Sequence, residues 1–199
     1  MKAIIAYLIH DRMDNAFLEY DIQEIKELAH VIGFDVETVV VQKREPDVKY
    51  FMGEGKVREL STLVKDLGIE VVIFNEELSP RQVRALELAL EPAEVWDRTQ
   101  VILEIFRRRA VTKESKLQVE LARLNYLYPR IYGLGGVMSR LGGGIGTRGP
   151  GETKLEILKR VIRERIRKLE KELKEAEARR RTTSKRRARN ALEVSIVGY

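Results

Sequence analysis

The sequence predicts an α/β unit, a small parallel sheet with flanking helices, followed by an all-α unit shaped as an antiparallel hairpin of long helices. Three observations predict it. Apolar runs of strand length alternate with helix-period segments as far as residue 96, after which strand signals stop. An apolar seam at steps of three and four runs from Leu155 to Ala176. The charge also changes sign between the halves: residues 1–96 carry 11 Lys and Arg against 19 Asp and Glu, a net of −8, whereas residues 97–199 carry 26 against 12, a net of +14.

The elements follow in order. Lys2 to His10 is an apolar run of strand length, and Phe17 to Ile32 spaces Ile22, Ile25, Leu28 and Ala29 at helical intervals before stopping at Gly33. Phe34 to Val41 is β-branched again, which completes a β-α-β unit. Val57 to Leu67 reads as a helix ended by Gly68, and Ile69 to Asn75 as a buried strand. Ser79 is placed to cap a helix with Pro80 at its first position, and Ala93 to Trp96 supplies a last short strand. Right-handed crossovers are the expected connections. Beyond them, Asp97 can cap a helix through Val101, Ile102, Ile105 and Phe106, and Thr112 can begin a second, or continue a kinked one, through Leu117, Leu121, Leu124 and Tyr128. The seam Leu155, Leu158, Ile162, Ile166, Leu169, Leu173 and Ala176 then marks a helix from about Glu152 to Arg180, roughly 40 Å long at 1.5 Å per residue. Its narrow stripe needs a partner, and the preceding helix is the obvious one. The expected division is an α/β subdomain over 1–96 and a helical hairpin over 97–190, with a Gly-rich loop over 133–151 at the hairpin's far tip.

Composition excludes several chemistries. There is no cysteine, and only His10 and His30 offer imidazole, so disulfides, zinc sites and Cys/His nucleophiles are ruled out. No apolar run approaches the roughly 18 residues of a membrane span, and the apolar start of the chain is too short for a signal peptide; a cytoplasmic protein without membrane insertion is expected. The basic second half suits a polyanion, because neutralised phosphates release condensed counterions. Long solvated helices rich in Lys, Arg and Glu are the alternative source of such a composition.

The segment 141–156 holds six of the fourteen glycines, with Arg148 and Lys154 among them. Glycines here (Gly143, Gly144, Gly146, Gly149, Gly151) let backbone approach a partner closely, and Arg148, Pro150, Glu152 and Lys154 sit at set places rather than in a Gly/Ser linker. A shaped contact to phosphate or RNA and a mobile turn both fit this pattern. Arg107, Arg108 and Arg109 point about 100° apart on a helix, so at least two face solvent or RNA. The tract from Arg179 through Arg180, Arg181 and Arg187 to Arg189 is expected to be a mobile basic arm, solvated or touching nucleic acid. Gly53, Gly55 and Lys56 precede a helix and fit either an anion-holding helix start or an ordinary turn. His10, Asp11, Asn75, Glu76 and Glu77 follow strands, where open parallel sheets hold ligands and where polar caps are also common. Trp96 reads as core. Val194 to Val197 is an apolar strand running into Gly198, the way a phosphate loop begins.

These segments together resemble the HflX family of ribosome-associated GTPases. The resemblance is carried by Tyr50-Phe-Met-Gly-Glu-Gly-Lys56, Phe74-Asn-Glu-Glu-Leu-Ser-Pro-Arg81, Val95-Trp-Asp-Arg-Thr-Gln100, Ile105-Phe-Arg-Arg-Arg-Ala110, Lys116-Leu-Gln-Val-Glu-Leu-Ala122, Gly143-Gly-Ile-Gly146, Arg148-Gly-Pro-Gly-Glu-Thr-Lys154 and Val194-Ser-Ile-Val-Gly-Tyr199. It implies binding to the large ribosomal subunit and its RNA, with the helical loop reaching toward the peptidyl-transferase region, and a part in ribosome splitting, rescue or biogenesis. It also implies that residues 191–199 open a GTPase domain that binds GTP and Mg²⁺. The second glycine, the lysine and the Ser/Thr of the phosphate loop do not follow Gly198, so the expectation is that these 199 residues alone do not hydrolyse GTP. The alternative is that the α/β half is itself an ATP- or GTP-binding enzyme assisting RNA remodelling. A monomer is expected, since a hairpin satisfies its own seam; a self-associating coil is the other possibility.

Overall fold

The computed structural model describes residues 1–9, 15–134 and 150–188. Four parallel strands, β1 (Lys2–Ile9), β2 (Asp35–Lys43), β3 (Val71–Phe74) and β4 (Glu94–Asp97), lie in the order β2-β1-β3-β4. Helices α1 (Asn15–Val31), α2 (Glu54–Leu67) and α3 (Pro80–Ala89) alternate with them, and α4 (Arg98–Arg109) leaves the sheet directly. Successive strand residues face opposite sides. Ile4, Ala6, Leu8, Val72 and Phe74 therefore pack on α2 and α3 through Val57, Leu60, Val64, Leu86 and Leu90. Ala3, Ile5, Tyr7, Val71 and Ile73 pack on Ile25, Ala29 and Ile32 of α1 and Val101 of α4. With both faces covered, β1 is buried from Ala3 to Leu8, which is why it reads as a continuous apolar run rather than an alternating one.

The punctuation acts where the sequence places it. Gly68 closes α2 in the left-handed region at φ 63°, a conformation that costs any residue with a Cβ. Ser79 forms a reciprocal capping box with Gln82, and Pro80 occupies the first turn of α3. Asp97 and Thr112 cap α4 and α5 (Lys113–Leu127) through their side-chain oxygens. Asp97 ends β4 and caps α4, so the passage from sheet to helices takes no linker.

A 3-10 turn (Tyr128–Leu134) follows α5, and α6 (Pro150–Ala188) is a single helix of 39 residues, about 58 Å long. It is antiparallel to α5. Arg180 reaches Glu114, Arg165 reaches Glu120 and Arg163 reaches Tyr128, so the high numbers of one helix meet the low numbers of the other. Leu169 is fully buried at the centre of the seam, and Ile162, Ile166, Leu173 and Ala176 are partly covered around it.

One expectation is corrected here. The basic tract is not an arm as far as Ala188 but the end of α6, where Thr182 and Thr183 donate to the carbonyls of Ala178 and Arg179. Residues 135–149 of the expected tip loop lie outside the described residues, and the segments on either side of them lie close to the α/β layer. The 3-10 turn packs on α3 and Arg130 reaches back to the sheet, while Leu158 and Ile162 line a cavity of about 550 Å³ with Pro80, Val83 and Trp96. The far end is the α4–α5 elbow, beyond which α6 continues.

Candidate nucleic-acid interface

The basic half begins at the end of α4. Arg107, Arg108 and Arg109 are all exposed, but the first two share a carboxylate. Arg107 donates to both oxygens of Glu104 at 2.7 and 2.6 Å, and Arg108 donates to Oε1 at 2.9 Å. The Arg107 hydrogen bond, reinforced by Arg108 and opposed by partial burial, holds the Glu104 carboxyl down at about 2. One of these two positive charges is therefore neutralised locally, and Arg109 has no ion pair among the described residues.

Along the hairpin the cations divide into two sets. Several are tied to α5 or to the turn that follows it: Arg165 lies 2.7 Å from Glu120, Arg180 lies 3.7 Å from Glu114, and Arg163 donates to the Tyr128 hydroxyl of the 3-10 turn at 2.5 Å. Arg181 is exposed and has no ion pair among the described residues. Gly143, Gly144, Gly146, Arg148 and Gly149 lie outside the described residues. Pro150, Gly151, Glu152 and Lys154 belong to the first turns of α6, with Pro150 at the start, where its missing N–H costs nothing.

The joint between the two units is a buried ionic hub. Asp97 is 1% exposed and accepts from the backbone N–H of Leu78 at 3.0 Å and of Gln100 at 2.9 Å. Arg130, from the 3-10 turn, donates to Asp97 at 3.0 Å, to the Leu78 carbonyl at 2.8 Å and to the Tyr126 carbonyl at 2.8 Å. Its guanidinium carbon sits 3.4 Å from the centre of the Tyr126 ring. Burial, then the charge of Asp97, pushes the Tyr126 hydroxyl up and keeps it neutral. The sequence names Asp97 as a cap but does not signal Arg130; a lone arginine inside the apolar stretch Tyr128-Pro-Arg-Ile131 is the one hint.

The nucleotide candidates of the α/β half have local partners. The Gly53 N–H donates to Gln42 Oε1 at 2.8 Å, and Lys56 lies 2.7 Å from Glu59. A Cβ on Gly53 would fall 2.3 Å from Nη1 of Arg44, the far end of a flexible side chain that can move aside, while Gly55 has open space. Asn75 is buried and binds both N–H and C=O of Leu8, stitching β3 to β1 at their carboxyl ends. Beside it a cavity of about 670 Å³ opens among Tyr7, Asp21, Glu76, Glu77 and Arg98. Tyr7 donates to Asp21, and Arg98 bridges Asp21 at 3.2 Å and Glu24 at 2.6 Å. Among the described residues no group of acids and histidines is arranged to hold a metal ion. His10, Asp11 and Gly198 lie outside the described residues. Trp96 is half-buried, edge-on to Phe34 at 5.0 Å. No helix among the described residues is long and apolar enough to cross a membrane.

The α/β layer and the basic helical hairpin each fall within a known region of GTP-binding GTPases. The family model of the GTP-binding GTPase N-terminal region matches residues 19–107, and that of the GTP-binding GTPase middle region matches residues 109–187. The chain belongs to the HflX family as its N-terminal region. It is 46% identical over 200 residues to GTPase HflX of Caldanaerobacter subterraneus subsp. tengcongensis, covering 100% of this chain and 46% of that protein. It is 43% identical over 181 residues to GTPase HflX of Escherichia coli, covering 90% of this chain and 42% of that protein. The chain thus spans a little under half the length of these curated relatives. Among solved structures it is similar to a complex of SsGBP with GDP, at TM-score 0.67 and 25% identity over 100% of this chain and 48% of that one. A GTP-binding protein from the hyperthermophilic archaeon Sulfolobus solfataricus in complex with GDP matches at TM-score 0.61 and 27% identity, covering 89% of this chain and 46% of that one.

Proposed function

We propose that this chain is the region through which an HflX-type GTPase grips the large ribosomal subunit, in ribosome splitting, rescue or biogenesis, with GTP and Mg²⁺ held by a GTPase domain of the whole protein. The observation that carries this reading is the charge division: residues 97–199 hold a net of +14, much of it along one 39-residue helix, while the sheet half is acidic. Ribosomal RNA is the polyanion that a ribosome-associated GTPase meets, and counterion release makes such contact strong and salt-dependent. The glycine segment, which follows the 3-10 turn in the sequence, carries Arg148 among its glycines, with Lys154 just beyond in α6, and glycine lets backbone and partner approach closely. The test is binding to purified large subunits as salt rises, for the unaltered chain and for R148A/E152A/K154A. A loss of roughly tenfold or more at 150 mM salt is expected from two lost phosphate contacts and one lost acceptor. Equal affinities for the two proteins would remove the segment from the interface.

A further inference from the structure

The sheet ends in two edges, and they are finished differently. β2 carries Asp35, Glu37 and Lys43, with Glu37 2.9 Å from Lys2, a charged finish that discourages further pairing. β4 is bordered by open space instead. One cavity of about 550 Å³ lies between β4, α3 and the start of α6, another of about 380 Å³ between β4, α4 and α5, and Glu94, Trp96, Gln100 and Leu127 line both. Each falls within the roughly 300–1,000 Å³ of ordinary ligand pockets. β4 packs on β3, α3 and α4, whereas Leu127 of α5 and Leu158 of α6, which line the same space, stay 40% and 43% exposed.

Backbone direction gives this edge its chemistry. The Glu94 N–H donates to the Glu70 carbonyl at 2.8 Å, which turns the backbone groups of Glu94, and of Trp96 two residues on, toward β3. Val95, between them, turns its N–H and C=O away from β3 and lines the larger cavity. A second donor there is unmet. Nε of Arg130, another residue lining that cavity, is buried and has no acceptor among the described residues. A buried donor without a partner costs free energy that an incoming acceptor recovers.

These groups discriminate among occupants. The larger cavity is walled chiefly by Pro80, Val83, Ile131, Leu158 and Ile162, and its cations are matched, Arg84 at 3.7 Å from Glu87 and Arg130 at 3.0 Å from Asp97. No surplus charge there calls for phosphate. A hydrocarbon would suit the walls but leave Val95 and Arg130 unsatisfied. An extended peptide answers all of them: its carbonyls accept from Val95 and Arg130, its N–H donates to the Val95 carbonyl, and its side chains point alternately into the two cavities.

We propose that the free edge of β4 is a docking site for an extended segment of a partner protein, which adds as a fifth strand beside Val95, sets apolar side chains in the larger cavity and places a carbonyl on Arg130 Nε. This surface is separate from the glycine segment and independent of RNA binding.

The experiment follows amide hydrogen exchange by NMR, with Val95 as the reporter and the Trp96 N–H, already committed to β3, as the internal reference. The probe is the capped peptide acetyl-Ser-Ile-Thr-Ile-Ser-amide. Its control is the same peptide N-methylated at the three central residues, which keeps the side chains and removes the donors. Without peptide, Val95 is expected to exchange faster than Trp96. With peptide at about ten times its dissociation constant, Val95 exchange should slow by about tenfold while Trp96 is unchanged, and the N-methylated peptide should have no such effect. Leu158→Phe, at a position exposed enough to spare the fold, narrows the larger cavity and should weaken binding by about tenfold; circular dichroism checks its helix content. Val95 exchange as slow as that of Trp96 in the free chain overturns the inference, because the edge is then already covered. Unchanged Val95 exchange at about 10 mM peptide, weaker than any useful strand addition, overturns it too. Equal binding of the N-methylated peptide would mean that the cavity takes apolar side chains without pairing, and would also overturn it.

Discussion

Glu104 illustrates how a single residue sets the charge that a surface displays. Its carboxyl titrates at about 2 rather than the ordinary 4.5, so its ion pairs with Arg107 and Arg108 stabilise the fold above the ordinary value. That contribution is lost as pH falls from about 4.5 to about 2. After discounting for the half-exposed arginines, roughly 1–2 kcal/mol is at stake. Glu104→Gln should lower stability by that amount at pH 7, and the difference from the unaltered chain should vanish near pH 2, as read by urea denaturation at several pH values. The same variant frees two guanidinium groups. If α4 lies on RNA, its binding should then depend more steeply on salt, the slope growing by about 1.

Among the elements, α6 is the most exposed to water for its length, and its hold on the rest rests on few side chains. Leu169 is its one fully buried residue among those described. Leu169→Ala should cost about 2–4 kcal/mol, since α5 and α6 cannot close the gap without losing the flanking contacts of Ile166 and Leu173. A cost below 1 kcal/mol in thermal denaturation would mean that the hairpin is held elsewhere. This helix also marks the limit of what could be read beforehand. Its seam is legible because apolar period survives in any sequence, and Gly68, Ser79-Pro80, Asp97 and Thr112 announced their helix ends through local backbone chemistry. The direction of the hairpin was not legible: it depends on the 3-10 turn docking on α3 and on Arg130 reaching Asp97, a contact across 33 positions that no local pattern encodes. The mutual pairing of Arg107, Arg108 and Glu104 was equally hidden behind three consecutive arginines that looked free.

At the scale of the whole molecule, the two units are joined by the hub of Asp97, Leu78 and Arg130. Asp97→Ala strands a guanidinium in a buried place and removes both a helix cap and the partner of the Leu78 N–H. A loss of about 3–5 kcal/mol is expected, with part regained in the double variant D97A/R130M. Trp96, the single tryptophan, reports on the sheet, while circular dichroism is dominated by the helices. The two unfolding curves should coincide in the unaltered chain and separate in Asp97→Ala; coincident curves in both would show that the hub does not couple the units. The placement of α6 adds a mechanical consequence. The helix touches the α/β layer near Leu158 and then runs some 45 Å to Ala188. It is a lever with a short arm and a long one, so a tilt of about 5° about the contact beside Trp96 sweeps the far end through about 4 Å.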